Sequence, residues 1–328
     1  MQNTPNPYLE LMRHNRYMKA VTDSQNLIDP VPKRYFLAMW LLEGRQCLET
    51  LKRCITNIKE DINNEDLDKL CKQIIRNFKD VDIEKLTVDT IPIPYRLVMY
   101  HDRIAFKSST YNYNLHTPKW LKQKFIKYNV NDIFCMLLRY RTFTLITNEN
   151  MQLSLLPKFY GFFQYVCKAK VECFASPLNR VLPVFCSAFA DVDKVFGSLG
   201  SFFDNINTNK IFDEGLFIAN PPFVEEVMNK TYDTVVNRLK NNKQITTFMF
   251  IVPKWDDSVS IKLLMNSVYY KKHYLLEKAK YYQNYNLQGE IKLVAPCETY
   301  IIVLSNFDID LTRMNNFIEE TRKRVEHE

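Results

Sequence analysis

Apolar residues recur at helical spacing in two stretches near the start of the chain. "RYFLAMWLLEGRQCLETLKRCITNIKEDI" and "NNEDLDKLCKQIIRNFKDV" both carry it, which predicts helices from Arg34 to about Lys79. The "INNED" between them reads as a helix stop followed by an Asn/Asp cap. The pattern then changes. "TIPIPYRLVMYHDRIAFKSSTYNYN" alternates between proline punctuation and has a turn at "HD", so a β-hairpin is expected. "NDIFCMLLRYRTFTLI" reads as a buried helix. A polar loop, "TNENMQLS", leads to "LPKFYGFFQYVCK", a helix opened by proline.

From Lys170 onward, short apolar runs alternate with amphipathic ones. "KVECFAS", "GLFIA" and "ITTFMFIVP" read as buried strands, and "IKLVAPCETYIIVLSN" as a closing strand pair. "FVEEVMNKTYDTVVNRLKNNK" and "SIKLLMNSVYYKKHYLLEKAKYY" read as helices. "PLNRVLPVFCSAF" is expected to run through a loop into a short helix, and "ADVDKVFGSLGSFFD" to be irregular. Strands this apolar, alternating with helices, imply an α/β fold around a central, mostly parallel sheet. Two domains are expected: residues 1–130, mainly helical with the hairpin, and residues 131–328, α/β.

Composition narrows the field. With 46% hydrophobic and 25% charged residues, the chain is globular rather than disordered. The net charge of +7 permits a polyanionic partner without demanding one. No apolar core of signal-peptide length and no membrane-length run is present, so neither a secreted nor a membrane protein is expected. The eight cysteines form no Cys-x-x-Cys pair. They read as free thiols of a reducing compartment, and no metal site is expected. The five histidines (His14, His101, His116, His273, His327) cluster with neither carboxylates nor cysteines, which lends no support to hydrolase or metal chemistry. Few glycines among many Asn, Ile, Lys and Tyr fit an A/T-biased coding genome, as in a virus or a protist.

In open α/β sheets ligands sit at the carboxyl ends of the strands. Three loops leave such ends: "ASPLN" after "VECF", "NPPF" after "LFIA", and "PKW" after "FMFIV". Asn220-Pro221-Pro222-Phe223 suits a particular difficulty. The amino group of adenine, or a carboxamide, is planar and a poor nucleophile towards a methyl sulfonium. The Asn220 amide oxygen and the Pro221 carbonyl can each accept one of its N–H groups. Two acceptors out of plane favour a pyramidal nitrogen whose lone pair faces the methyl. The prolines hold that carbonyl rigidly, and Phe223 offers a stacking face. The same stretch also reads as a helix start, with Asn220 as cap and Glu225 and Glu226 in the first turn. Glu172 reads as either an exposed charge or an acid facing a cofactor. Trp255 reads as a core aromatic or as a substrate-binding wall beside Lys254. The lysines of "PKWLKQKFIKY" have the spacing of a solvated helix face, with a phosphate track as the other reading.

"VECFASPLN", "FCSAFADVDKVFGSLGSFFD", "FIANPPFVEEVM" and "FIVPKW", in that order and spacing, resemble the phosphorylated-CTD-interacting-factor family of cap-specific adenosine-N6 methyltransferases. The upstream "DIFCMLLRY" and "SLLP" are similar too. The resemblance implies a Rossmann-like methyltransferase fold with an appended N-terminal helical domain making cap or RNA contacts. It implies S-adenosylmethionine as donor, S-adenosylhomocysteine as product, and no metal. The implied substrate is capped mRNA beginning with adenosine, usually 2′-O-methylated. By resemblance Asn220, Pro221, Pro222 and Phe223 are the catalytic loop. Glu172, Ala175, Ser176, Pro177 and Asn179 line the donor site, and Ser154 and Pro157 cover its methionine end. Gly197 and Ser198 fall in the matched glycine loop. Trp40, Trp120 and Trp255 lack the spacing of a WW domain, so no WW-mediated binding of the polymerase tail is expected. A cytoplasmic viral or protist enzyme, or a nuclear one, is the expectation. Methylation of adenine in DNA or internal RNA is the alternative, and a catalytically silent RNA- or partner-binding subunit the third reading.

Overall fold

The computed structural model describes residues 5–25, 51–52, 55, 62–79, 94–147, 152–277, 281–285, 287 and 289–325. The part of the expected first helix between Arg34 and residue 50 lies outside these. The chain divides into two units, Met1–Met151 with Leu287–Glu290, and Gln152–Asn286 with Ile291–Glu328.

The first unit contains α1 (Pro7–Gln25), α2 (Asn64–Lys79), β1 (Tyr95–Met99), β2 (Arg103–Ser108), β3 (Asn112–His116), α3 (Lys119–Phe125) and α4 (Val130–Thr147). The Asn63 side chain accepts from the Asp66 backbone N–H at 2.9 Å, which caps α2 as "NNED" predicts. Tyr17, Val21, Leu67, Cys71, Ile74 and Phe78 form a core between α1 and α2. α1 also packs on α4 through a buried Glu10–Arg139 ion pair at 2.7 Å. That packing places residues 131–147 in the first unit, not in the second as the expected boundary at 130/131 has it. The expected hairpin is a three-stranded antiparallel sheet in the order β1-β2-β3. The third strand comes from "NYNLH", whose alternation sends Tyr113 and Leu115 to the packed face opposite Phe106 and Ile104.

The second unit contains β4 (Leu153–Leu155), α5 (Pro157–Tyr165), β5 (Ala169–Glu172), α6 (Ala190–Asp193), α7 (Phe202–Asn205), β6 (Gly215–Ala219), α8 (Glu225–Asn241), β7 (Thr246–Pro253), α9 (Val259–Met265), β8 (Tyr270–Leu276), β9 (Tyr282–Asn284), β10 (Lys292–Val294), β11 (Thr299–Ser305) and α10 (Thr312–Val325). Its main sheet has the order β5-β6-β7-β11-β8. β5, β6 and β7 are parallel. β11 runs antiparallel to both of its neighbours, so β8 runs with the other three. The sheet is therefore mixed.

All eight residues of β7 are buried, because both faces of the sheet are covered. Phe248, Phe250 and Val252 pack with Met228, Val235 and Leu239 of α8 and with Ile261 and Leu264 of α9. Met249 and Ile251 pack with Phe159, Tyr160 and Phe163 of α5 and with Met314 and Ile318 of α10. Truncating one such aromatic costs about 3–5 kcal/mol.

Three expectations fail here: the first is the short helix of "PLNRVLPVFCSAF", which forms only turns, bends and a bridge. The helix expected from Ser260 onward stops at Met265, and Tyr270–Leu276 is the edge strand β8. A strand with one unpaired edge tolerates Lys271 and Lys272, and lysine guards such an edge. The closing strands do not pair with each other. β10 joins β9 and β4 in a small antiparallel sheet, while β11 inserts between β7 and β8.

Candidate active site at the carboxyl ends of the strands

The order of the strands reverses at β5. Leaving β5, the chain forms parallel bridges first between Glu172 and Phe185, then between Phe185 and Ser198. It thus steps outward on one side of β5 and returns on the other side as β6. The loops after β5 and β6 diverge at this reversal, which is where open α/β sheets hold their ligands. Gly197, with φ of 98°, makes the turn that lets Ser198 align with Phe185. Ser198 then holds the strip through Ser187, with the two hydroxyl oxygens 2.6 Å apart.

The first loop is fixed by its own side chains. The Asn179 amide oxygen accepts from the Ser176 backbone N–H at 2.8 Å and from its hydroxyl at 3.0 Å. The Asn179 amide nitrogen donates to the Leu153 carbonyl at 3.0 Å, tying the loop to β4. Ser176 Oγ also lies 2.5 Å from Gln152 Oε1. Pro177, Ser176 and Asn179 are buried, and Ala175 is half-buried. Glu172 is buried at the end of β5, and its Oε1 accepts from the backbone N–H of Val181 at 2.6 Å and from that of Leu182. The carboxylate is thus not an exposed charge. It is held by the loop it anchors.

The second loop answers the ambiguity about Asn220. The N-cap of α8 is Val224, in extended conformation and without a side-chain cap. Asn220 lies five residues ahead of the first helical residue, so it does not cap the helix. The Val224 N–H turns back to the Pro222 carbonyl at 2.7 Å. Glu225 secures the helix start, accepting from the Ser258 hydroxyl at 2.6 Å and from the Ser260 N–H at 2.8 Å at the head of α9.

The third loop stands beside the second. Trp255 and Phe223 meet edge to face, with centroids 6.3 Å apart and planes at 75°. Trp255 is 42% exposed, so it is not a core aromatic. Lys254 is committed to Glu298, 3.2 Å away, whose hydrogen bond first and charge second raise the lysine pKa.

One residue of the site escapes sequence reading. Tyr160 of α5 is 1% exposed, and its hydroxyl interacts with the side chains of Ser154 and Asn220. Burial first, and the Glu172 carboxylate next, push its pKa well up, so the phenol keeps its proton. In sequence Tyr160 is one more aromatic on an apolar helix; only the Ser154–Leu155–Leu156–Pro157 lead-in hints at it. Pro157 itself opens α5 and sets its direction. The nearby thiols are not nucleophiles: burial pushes Cys186 up to about 12 and Cys173 well above its ordinary value. Among the described residues, no three His, Cys, Asp or Glu side chains gather as metal ligands. No described helix is long and apolar enough to cross a membrane.

Fold and loops together define an α/β domain whose strand order reverses at β5, with buried polar groups on the first loop and an aromatic pair, Phe223 and Trp255, on the second and third. The family model described as Phosphorylated CTD interacting factor 1 WW domain matches residues 111–286, just over half of the chain, and the chain belongs to that family. The matched stretch contains β5, β6, β7 and all three loops. The chain is also 31% identical over 148 residues to a human and to a mouse protein, each described as mRNA (2'-O-methyladenosine-N(6)-)-methyltransferase. That similarity covers 44% of this chain and 20% of each relative, so it spans about a fifth of their length.

Proposed function

We propose that this chain is a Rossmann-like methyltransferase. It transfers a methyl group from S-adenosylmethionine to N6 of the adenosine, usually 2′-O-methylated, that follows the cap of an mRNA. The observation that carries the proposal is Asn220: half-buried just past the carboxyl end of β6, relieved of any capping role, beside Tyr160 and three residues ahead of Phe223, which meets Trp255. Four strands running one way, with helices on both faces and a reversal between β5 and β6, support the Rossmann-like reading. The buried polar set of Ser154, Tyr160 and Glu172 fits a donor with ribose hydroxyls and a charged amino-acid end.

When bound, the donor supplies an electrophilic methyl group. Glu172, Ser154 and the fixed 175–179 loop would hold it, with Ala175, Ser176, Pro177 and Asn179 setting the loop's shape. The Asn220 amide oxygen and the Pro221 carbonyl accept the two N–H groups of the target amine and draw it out of conjugation. Tyr160, kept protonated, holds the Asn220 amide in orientation. Phe223 stacks the adenine, and Trp255 closes that side and excludes water. Lys254 reaches a phosphate only by leaving Glu298. The first unit would supply cap and RNA contacts.

The test is methyl transfer from labelled donor to three nucleic acids of one sequence, each starting with adenosine: capped RNA, uncapped RNA and DNA. Turnover confined to capped RNA is expected. Equal turnover of capped and uncapped RNA would refute the cap requirement, and preference for DNA would refute the substrate class.

A further inference from the structure

The outward face of the β1-β2-β3 sheet is a grid of three rows. Strand pairing sets Arg96 opposite Lys107, which is opposite Asn112. The next row is Val98, Ala105 and Asn114. The last is Tyr100, Arg103 and His116, with Tyr100 N–H donating to the Arg103 carbonyl at 2.7 Å. Arg96, Lys107, Tyr100, Asn112, Asn114 and His116 are all exposed.

Two features make this face unusual. Arg96 and Lys107 are like charges directly across an antiparallel ladder, a placement that destabilises a sheet standing alone. The sole acid within residues 94–116 is Asp102, and it pairs with Arg103 at 3.2 Å. At the other end the Arg103 guanidinium covers the Tyr100 ring at 4.5 Å, forming a flat cation–π platform. Between them Ala105 is buried and Val98 half-buried, and the exposed amides Asn112 and Asn114 flank them.

We propose that this face binds the backbone of single-stranded RNA. Arg96 and Lys107 meet phosphates, the Tyr100–Arg103 platform stacks a base, and the asparagines hydrogen-bond sugar or base edges. An acidic peptide would satisfy the two cations but would leave the stacking platform and the amide row without a role. The inference rests on the reading that the substrate is RNA. Binding measured without donor is independent of methyl transfer. A wild-type protein that binds RNA yet methylates nothing would sink the proposed function and leave the face standing.

The experiment titrates the full chain into a labelled, uncapped single-stranded RNA at several salt concentrations. Arg96→Glu with Lys107→Glu should weaken binding about tenfold or more at low salt. The slope of log affinity against log salt should fall by about 1.4, two single-strand phosphate contacts. Arg96→Gln with Lys107→Gln, a milder pair, should lose the same slope. Arg96→Glu alone creates an opposite-charge pair with Lys107, so Tm should rise or hold while RNA binding falls. A merely structural role would instead lower Tm. Unchanged affinity and slope in both double variants would overturn the proposal. So would an acidic peptide that binds wild type more tightly than the RNA does.

Discussion

At Asn220 two roles make opposite demands on one experiment. An amide that acts on the substrate amine is felt in the chemical step; an amide that caps a helix is felt in stability. Val224 is the cap residue of α8, so Asn220→Ala should leave Tm and donor affinity close to wild type. Single-turnover methylation should slow a hundred- to a thousand-fold, about 3–4 kcal/mol. A loss of only about 1 kcal/mol of stability with full activity would restore the capping role. Phe223→Ala removes a face rather than an acceptor, so weaker RNA binding should accompany its lower rate, by about 1–3 kcal/mol. The strand, loop and helix around Asn-Pro-Pro-Phe were legible in sequence, because an apolar run ahead of two prolines and acids after them mark where a strand ends and a helix starts. The engagement of Asn179 and Glu172 was not, because both depend on chain that returns from elsewhere: Leu153 for one, Val181 and Leu182 for the other. Tyr160 was hidden for the same reason.

Elements with a single environment along their length are readable, and those with two are not. β7 is apolar throughout because helices cover both its faces, and α8 shows a clear 3.6-residue stripe. β8 lies at a sheet edge, with Tyr274 and Leu276 buried and Lys272 and His273 exposed, and "YKKHYLLEKAKYY" fits either period. In the first unit, His14 couples α1 to α4. Thr142 donates its hydroxyl to Leu138 at 2.6 Å, so its oxygen accepts from His14 Nδ1–H at 2.8 Å. Nε2 is then the unprotonated nitrogen, among Tyr113 and Arg141. Burial, with Arg141 second, lowers the pKa from 6.5 to about 4. Between those values the unfolded chain binds the proton and the folded one does not, so stability falls as pH drops from about 6.5 to about 4 and levels below. The loss is at most about 3 kcal/mol. Comparing Tm across that window for wild type and His14→Gln checks it; parallel curves would show that His14 contributes nothing.

On the scale of the whole chain, the parts legible in advance were the α/β class and the order of β5, β6 and β7. The +7 charge said only that a polyanion was permitted; the sheet of the first unit shows where some of that charge is gathered. The central claim is a methyl group placed on one atom of one nucleotide. The most direct measurement incubates the full chain with labelled S-adenosylmethionine and capped RNA starting with 2′-O-methyladenosine. The product is then digested to nucleosides and the labelled species identified. The account predicts the label in N6,2′-O-dimethyladenosine from the first position, and about a hundredfold or more slower labelling with Asn220→Ala. Label in internal adenosines, in protein, or undiminished in the Asn220→Ala reaction would contradict it.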